Sequence, residues 1–329
     1  MMRTRILFLV MVSLVLLGLA QDGFAVELWD DGDPSGHSWC VGANWNHDLV
    51  PDSTLDASIK LNGPGPVIES PCAAECKTLR LEPQSSFATP SELTINSGSL
   101  TNYGAFLIGA AGNSVGTLNI NGGTVQVSDQ CWVGNQGVAT LNMNGGELNV
   151  PTNLWISRGT NVAAGEGHAY LNGGTIYYNG FTMGNNGRPA TMDVAGGVLM
   201  INGDWTTKVV GYVTSGWITG YGGDGTVQVD YDVTNPSQTT VRGVHYLKPN
   251  PIDGGEAASG MVELSWTLPD PCVAGEPVSV DVYFTDNWEA LYSFTDPGAI
   301  RVVSGQNVTS VAVQTLPKVG TCLARYFSF

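Results

Sequence analysis

Basic residues are scarce in this chain of 329 residues, which has 13 Lys and Arg against 29 Asp and Glu and a formal net charge of −16. Between positions 91 and 230 the only Lys or Arg residues are Arg158, Arg188 and Lys208. Binding to nucleic acid phosphates needs a dense array of such side chains, so this balance excludes a nucleic acid-binding protein. Charged residues make up only 13% of the chain, but a hydrophobic content of 43% is too high for a disordered protein.

Long apolar runs are missing everywhere except at the N-terminus. Arg3 and Arg5 precede one uninterrupted apolar stretch, which is too short to span a bilayer comfortably. Small residues follow it at the spacing that a signal peptidase requires. The sequence therefore predicts a signal peptide over residues 1–25, with cleavage after Ala25 or Ala20. The mature chain is then secreted or displayed at the cell surface, with no membrane span.

Export places the six cysteines in an oxidising compartment, where disulfides persist. Cys40 is predicted to pair with Cys72 or Cys76. A zinc site on Cys72 and Cys76 is disfavoured, because no His or second Cys pair lies near them in the sequence. Cys131 lies in an apolar run and is predicted to be a buried free thiol.

Glycine is abundant, with 43 residues, and a repeat accounts for much of it. Five similar segments begin at Leu93, Leu118, Leu141, Ala169 and Met192, at offsets of 25, 23, 28 and 23 residues. Their second turn position is always glycine (Gly98, Gly123, Gly146, Gly174 and Gly197). Apolar and polar residues alternate on both sides of this turn, and a third short apolar run follows, so each unit holds three strands. This pattern predicts a parallel β-solenoid of about five coils over residues 91–240.

Stacked coils would place equivalent residues above one another in ladders. Two internal ladders and one ladder of amides at the turn are predicted: Ile120, Met143, Leu171 and Val194; Val125, Leu148, Ile176 and Leu199; and Asn96, Asn121, Asn144 and Asn172. A row of antiparallel hairpins is the alternative, because Asn-Gly also favours hairpin turns. Hairpin strands would recur every 8–12 residues, whereas this repeat is about twice as long. The longest interval contains an insertion, residues 158–168, that is predicted to bulge as a loop.

The segment Gly116-Thr-Leu-Asn-Ile-Asn-Gly-Gly-Thr-Val125 resembles the repeat of bacterial exported β-helix proteins related to autotransporter passengers and PEP-CTERM-type exoproteins. Residues 26–90 resemble the N-terminal cap segment that precedes such solenoids. The resemblance implies an all-β fold with a right-handed parallel β-helix, and a secreted or surface location. It implies no catalytic residues.

The last third of the chain has a different character. A Pro- and Gly-rich linker is predicted over residues 241–255. Residues 256–329 resemble a fibronectin type III-like module, with Trp266 at the core position and Asp281-Val-Tyr-Phe284 in the following strand. A sandwich of this kind typically uses ~100 residues. We therefore expect an incomplete fibronectin III/Ig-like β-sandwich.

Two groups of acidic residues are candidate cation sites. Asp30, Asp31, Asp33 and Gly36 match part of a calcium loop but lack its twelfth-position Glu. Asp224, Asp230 and Asp232 follow the repeat, where carboxylates also serve solubility. We therefore predict no metal site, no cofactor site and no catalytic residue.

The enzymatic alternative is a glycan-cleaving β-helix. Glu147, His168 and Asp193 are its candidate residues, although Glu147 and Asp193 are two coils apart. An exposed strip of sugar-stacking aromatic residues is a further hypothesis, formed by Trp132, Trp155, Tyr177, Tyr178 and Trp205. The sequence favours a non-enzymatic surface-structural or adhesive protein, and the alternative is an extracellular glycan-binding or glycan-cleaving protein. A glycan or cell-surface partner is expected, and the net charge predicts that such a glycan is neutral or requires a divalent cation.

Overall fold

The computed structural model describes residues 26–60, 64–82, 90–112, 114–158, 165–184 and 187–247, and the strands at 261–265, 279–285, 300–306, 310–314 and 321–327. The predicted signal peptide lies outside the described residues, as do the side chains beyond residue 244. The chain divides into two compact units. The first holds the residues up to 219 and residues 229–242, and the second holds residues 220–228 and 243–329.

The first unit is a β-solenoid of about six turns. Two strands precede the coils, β1 (Val26–Leu28) and β2 (Asp56–Ile59). Coil 1 consists of β3 (Val67–Ile68), β4 (Ala73–Cys76) and β5 (Leu79–Leu81). Coil 2 consists of β6 (Ser91–Ile95), β7 (Ser99–Asn102) and β8 (Phe106–Ile108). Coil 3 consists of β9 (Val115–Ile120), β10 (Thr124–Val127) and β11 (Cys131–Val133).

Coils 4 and 5 are each one continuous strand that follows the corners, β12 (Val138–Ile156) and β13 (Glu166–Met183). Coil 6 begins with β14 (Ala190–Val194) and β15 (Val198–Asn202). The coils pair in parallel, which confirms the predicted solenoid and rules out the row of hairpins. The outward side chains of the first, second and third strand segments of the coils form three surfaces, which we call face A, face B and face C.

The core of the solenoid contains the two predicted internal ladders. Ile120 pairs with Met143, Met143 with Leu171 and Leu171 with Val194. The ladder that starts at Val125 continues in the same way through Leu148, Ile176 and Leu199. All eight side chains are fully buried. Burial of each such side chain contributes ~1.5–3 kcal/mol relative to exposure, so these ladders account for much of the cohesion between coils.

The amide ladder at the Asn-Gly-Gly corner also forms as predicted. The side-chain amide of Asn172 donates to Oδ1 of Asn144 (2.9 Å), Asn144 donates to Asn121 (2.8 Å), and Asn121 donates to Asn96 (2.8 Å). Asn96 donates in turn to the carboxylate of Glu69 (2.8 Å). All amides therefore point in one direction and end on a negative charge, an arrangement in which each hydrogen bond polarises the next.

The solenoid begins earlier than the sequence repeat. Coil 1 lies inside residues 26–90, for which the sequence predicts a cap, so there are about six coils rather than five. Its corner, Glu69–Cys72, lacks the Asn-Gly-Gly motif, but Ile68, Ala74 and Leu79 occupy the inward positions. The last three residues of the predicted insertion loop, 166–168, belong to the start of β13 instead. They follow the strand pattern, because Gly167 is buried while Glu166 and His168 point outward. Residues 159–164 lie outside the described residues.

Three tryptophans close the N-terminal end of the solenoid. Trp29, Trp39 and Trp45 are almost completely buried, and the rings of Trp29 and Trp39 lie 5.3 and 4.8 Å from that of Trp45 in edge-to-face arrangements. A disulfide joins Cys40 to Cys72 and ties this segment to coil 1. Cys76 and Cys131 are buried free thiols, as predicted for Cys131. The pairing left open by the sequence is thus Cys40 with Cys72.

The C-terminal end of the solenoid is covered on all three sheets. Strand β18 (Gln238–Leu247) pairs antiparallel with β15 through its first five residues. Strand β16 (Ile218–Gly220) pairs with β14, and β17 (Gly225–Tyr231) follows β16 along the chain. Helix α1 (Thr206–Thr214) covers the third strand of coil 5, where the ring of Tyr212 packs 5.7 Å from that of Phe181. Uncovered strand edges promote pairing between molecules, so this end is protected against polymerisation.

The second unit is antiparallel. Strand β20 (Ser279–Thr285) pairs with β21 (Ile300–Gln306) and with β23 (Thr321–Phe327), and β23 pairs with the last two residues of β18. Strands β19 (Met261–Ser265) and β22 (Ser310–Gln314) form a separate pair. Because β18 continues to Leu247, residues 241–247 of the predicted linker are in a strand, and residues 248–255 lie outside the described residues. No helix in the described part of the chain is long and apolar enough to cross a membrane.

Candidate functional site

The three residues of the enzymatic hypothesis do not converge on one point of the solenoid. Glu147 lies on face B, whereas His168 and Asp193 lie on face A. The alternation along each strand places His168 in one column of face A and Asp193 in the next, because Thr191 pairs with His168 and Asp193 pairs with Tyr170. Asp193 accepts a hydrogen bond from the hydroxyl of Thr219 (2.9 Å). The sequence therefore correctly separated Glu147 from Asp193.

His168 has two partners that sequence reasoning missed. Its Nε2 lies 2.9 Å from Oε1 of Glu166, and its Nδ1 lies 2.7 Å from the hydroxyl of Thr191. An ionised carboxylate only accepts, so Nε2 donates to Glu166, and Nδ1 forms the second hydrogen bond with the hydroxyl of Thr191. The 23-residue offset between coils 5 and 6 was the signal that could have placed Thr191 above His168.

Glu166, His168 and Thr191 are linked in the same order as the carboxylate, imidazole and hydroxyl of a catalytic triad, but the site has no oxyanion hole among the described residues. Acyl transfer also needs free N–H donors that stabilise the oxyanion. The nearby backbone amides are already used, since Gly167 donates to Pro189 O (3.2 Å) and Met192 donates to Trp217 O (2.8 Å). The chain of hydrogen bonds therefore acts best as a polar link between coils 5 and 6.

The acidic residues near the N-terminus make separate local contacts. Asp31 lies 2.7 Å from Nδ1 of His37, while Asp33 accepts hydrogen bonds from the backbone N–H (2.9 Å) and hydroxyl (2.7 Å) of Ser35. The bonds from Ser35 hold the pKa of Asp33 below its usual value. Within the described ranges, no three His, Cys, Asp or Glu side chains are placed so that they would hold a metal ion.

The acidic residues beyond the repeat are likewise engaged locally. Asp230 accepts from the backbone (3.0 Å) and hydroxyl (3.1 Å) of Thr234, and Asp232 accepts from the backbone N–H of Ser237 (2.7 Å). These contacts stabilise the turn before β18, and they fit a structural role for the two carboxylates.

The predicted aromatic strip is divided between different surfaces. Tyr177 lies on face B, and Tyr178 points into the core, where it is 2% exposed. Trp205 precedes helix α1 and donates its indole N–H to Asn202 O (3.0 Å). Only Trp132 and Trp155 share a face, because they are register partners in the third strands of coils 3 and 4.

Face C carries this tryptophan pair together with an arginine. Both indole rings are half-buried, and Cζ of Arg158 lies 3.5 Å from the ring centroid of Trp132 and 5.5 Å from that of Trp155. Arg158 follows coil 4 directly and is held there by its backbone N–H, which donates to Gly134 O (3.0 Å). Contacts of this kind between a guanidinium and an indole contribute ~0.5–2 kcal/mol, depending on how far they are desolvated.

Two N–H donors in this cluster have no acceptor among the described residues, Nη1 of Arg158 and Nε1 of Trp155. By contrast, Nε1 of Trp132 donates to the side chain of Gln130 (2.9 Å). Burial lowers the pKa of Arg158, and the negative charge of Asp129 opposes this shift. An arginine side chain stays protonated in proteins, so the guanidinium of Arg158 keeps its positive charge at neutral pH.

The column that contains the tryptophans runs along the solenoid. Each member is the register partner of the next: Arg80, Leu107, Trp132, Trp155 and Thr182. Lys208 of helix α1 extends the column, since its Nζ donates to Phe181 O (2.7 Å) and contacts the hydroxyl of Thr182 (3.3 Å). Face C thus combines apolar, aromatic and basic side chains in one row.

Comparison with protein-family models, curated proteins and solved structures finds no match to this chain. The functional assignment therefore depends on the residues and contacts described above.

Proposed function

We propose that this chain is an exported, non-enzymatic β-solenoid protein with a surface-structural or adhesive role. The proposal depends on one observation: the coils are joined to one another by buried ladders, and both ends of the solenoid are covered. Six coils at a strand spacing of ~4.8 Å give a rod about 25 Å long. Both ends are blocked, by the tryptophan cluster and by β16, β18 and α1. Such a rod presents three extended faces, and its covered ends protect it against strand pairing between molecules.

Export is supported by the N-terminal sequence and by the cysteines. The Arg-flanked apolar stretch has the features of a signal peptide. The contact between Cys40 and Cys72 has disulfide geometry, and such bonds persist outside the cytosol. We propose cleavage after Ala25 or Ala20 and a secreted or cell-surface location.

Two finer features of the fold belong to the same proposal. We propose a right-handed winding, because crossover connections between parallel strands are almost always right-handed. We also propose that the second unit is an incomplete fibronectin III/Ig-like sandwich. Its antiparallel pairs β19–β22 and β20–β23 support this assignment.

A glycan-binding role is the second candidate, and the pair of Trp132 and Trp155 favours it. Aromatic rings stack on the apolar faces of sugars, and two rings in register on an outer surface form a suitable platform. Glycan cleavage has less support, because Glu147 lies on a different face from His168 and Asp193.

Expression of the full chain in a bacterial host with an export pathway tests the main proposal. The exported product is expected to begin at Val26 or Gln21. Beads coated with it are expected to adhere to polysaccharide-coated surfaces, and the soluble product is expected to release no new reducing ends from polysaccharides. An intracellular product that begins at Met1, failure of the beads to adhere, or hydrolysis that disappears in His168→Ala contradicts the proposal.

A further inference from the structure

We propose that face C binds an extended acidic polysaccharide, with Trp132 and Trp155 as the stacking platform and Arg158 and Lys208 as the contacts for its negative groups. This inference deepens the adhesive role and rests on it. It also reverses the expectation from net charge, which predicted a neutral or cation-dependent glycan.

The distribution of charge separates face C from the other two faces. Outward carboxylates occupy face A (Glu92, Glu166 and Asp193) and face B (Glu75 and Glu147). Among the described coil strands, neither of these two faces carries a lysine or an arginine. The basic residues Arg80, Arg158 and Lys208 instead lie along face C.

The local charge, rather than the net charge, decides what docks on face C. Opposite sheets of a β structure lie about 10 Å apart, which separates face C from the carboxylates in the middle of faces A and B. Glu166 is the exception, because it begins face A beside Gly134, whose carbonyl accepts the backbone N–H of Arg158. The Debye length is also ~8–10 Å at physiological salt, and it screens those distant charges. Arg80 is partly neutralised by Asp56, 4.0 Å away, and the negative charge of Asp129 acts on Arg158. Neither Arg158 nor Lys208 forms an ion pair within the described residues, so these two remain the main positive groups of face C.

The unpaired donors of the cluster indicate a ligand that brings oxygen acceptors. Nη1 of Arg158 and Nε1 of Trp155 are shielded from solvent and lack acceptors within the part of the chain that the structure describes. When a sugar displaces the guanidinium from the ring of Trp132, both donors become accessible to its oxygens. A carboxylate or sulfate oxygen gains the strongest bond there, because hydrogen bonds between charged groups are shorter and stronger than neutral ones.

The geometry of the column suits an extended chain of sugars. Leu107, Trp132, Trp155 and Thr182 follow one another at the coil spacing, ~4.8 Å, which is close to the rise of one sugar in an extended β-linked chain. A polysaccharide aligned with the solenoid axis therefore meets one face C residue per sugar. Lys208 lies at the C-terminal end of this track.

Calorimetric titration of the exported protein with hexamannuronate, a β-linked acidic oligosaccharide, in EDTA, tests the inference. Binding is expected, and it should weaken as sodium chloride is raised. Trp132→Ala and Arg158→Gln should each weaken binding about tenfold or more, which corresponds to the ~1.4 kcal/mol that defines one decade. Arg158→Lys keeps the charge but loses the planar contact with the ring, so it should restore only part of the affinity.

Tyr177→Ala is the matched control, because it removes a half-buried aromatic residue from face B. It should leave the affinity within about twofold. Circular dichroism identifies any variant that fails to fold, and Arg158→Gln, which leaves the core intact, keeps the test decisive if Trp132→Ala does not fold.

Four outcomes overturn the inference: no binding, equal or tighter binding of cellohexaose, binding only with added calcium, or equal losses in Tyr177→Ala and Arg158→Gln. Bead adhesion distinguishes this failure from failure of the adhesive role. If coated beads adhere equally well with wild type and Arg158→Gln, the site on face C is wrong and the adhesive role stands. If the beads do not adhere, the adhesive role itself is wrong.

Discussion

A methyl group added at Gly146 provides the most direct test of how the coils stack at the Asn-Gly-Gly corner. Gly146 has φ +70, and its Cβ would lie 2.5 Å from the carbonyl oxygen of Gly123 and 2.7 Å from the carbonyl carbon of Gly122. Normal contact requires ~3.5 Å or more, so the coils must separate locally by about 1 Å. That movement strains the bond from Glu147 N–H to Gly123 O, now 2.9 Å long.

The expected loss of stability for Gly146→Ala is the sum of two terms. A left-handed conformation costs a residue with a Cβ about 1–2 kcal/mol. Loss of one hydrogen bond and of the local packing adds roughly 1–2 kcal/mol. We therefore expect the free energy of unfolding to fall by about 3 kcal/mol.

Gly216→Ala is the matched control for the backbone term. Gly216 has φ +72, but nothing lies within 4 Å of its added Cβ, so only the conformational cost of about 1–2 kcal/mol applies. Urea unfolding of the full chain, followed by circular dichroism, measures both variants at a common m-value. Equal losses for the two variants would refute the close stacking of corners, because the clash would then contribute nothing.

Three further predictions concern the ladders and the cysteines. Asn144→Ala removes two amide hydrogen bonds and should lower the free energy of unfolding by about 1–2 kcal/mol; an unchanged urea midpoint contradicts the ladder. Reduction of the Cys40–Cys72 disulfide, whose partners are 32 residues apart, should destabilise the first unit by about 3–4 kcal/mol, and Cys40→Ser should show the same loss without reductant. Burial raises the pKa of Cys131 from 9.0 to about 12, so the thiol of the folded protein should resist alkylation. The unfolded chain releases this proton at lower pH than the folded protein, so the free energy of unfolding should fall as the pH rises from 9 to 12. Cys131→Ala should lack this pH dependence.

Within coils 2 to 6, the repeat in the sequence determined the stacking. The positions of Ile120, Val125 and Asn121 recur at nearly constant offsets, and each residue type bonds or packs with its own kind in the next coil. Register follows because a shift of one residue would turn every buried side chain outward. In this part of the chain, the position of a residue in the repeat is therefore enough to predict its contacts in the neighbouring coils.

Coil 1 could not be predicted from the sequence, because its corner, Glu69–Cys72, lacks the Asn-Gly-Gly motif. Its buried positions can be recognised only from the pairing of its strands with those of coil 2. The partner of Cys40 was likewise undetermined, since Cys72 and Cys76 are four residues apart and only the path of the corner selects between them.

Face C is the clearest example of a feature that the sequence alone does not predict. The sequence contained Trp132, Trp155 and Arg158 as separate residues, and it grouped the tryptophans with Tyr177 and Tyr178. Only the fold turned Tyr178 inward, moved Tyr177 to face B and brought Arg158 onto the ring of Trp132. The sequence by itself determined the period, the inward ladders and the acidic net charge, because these depend on spacing and composition. The tertiary structure decided which charges and rings share a face, because that depends on the corner at which each strand segment begins.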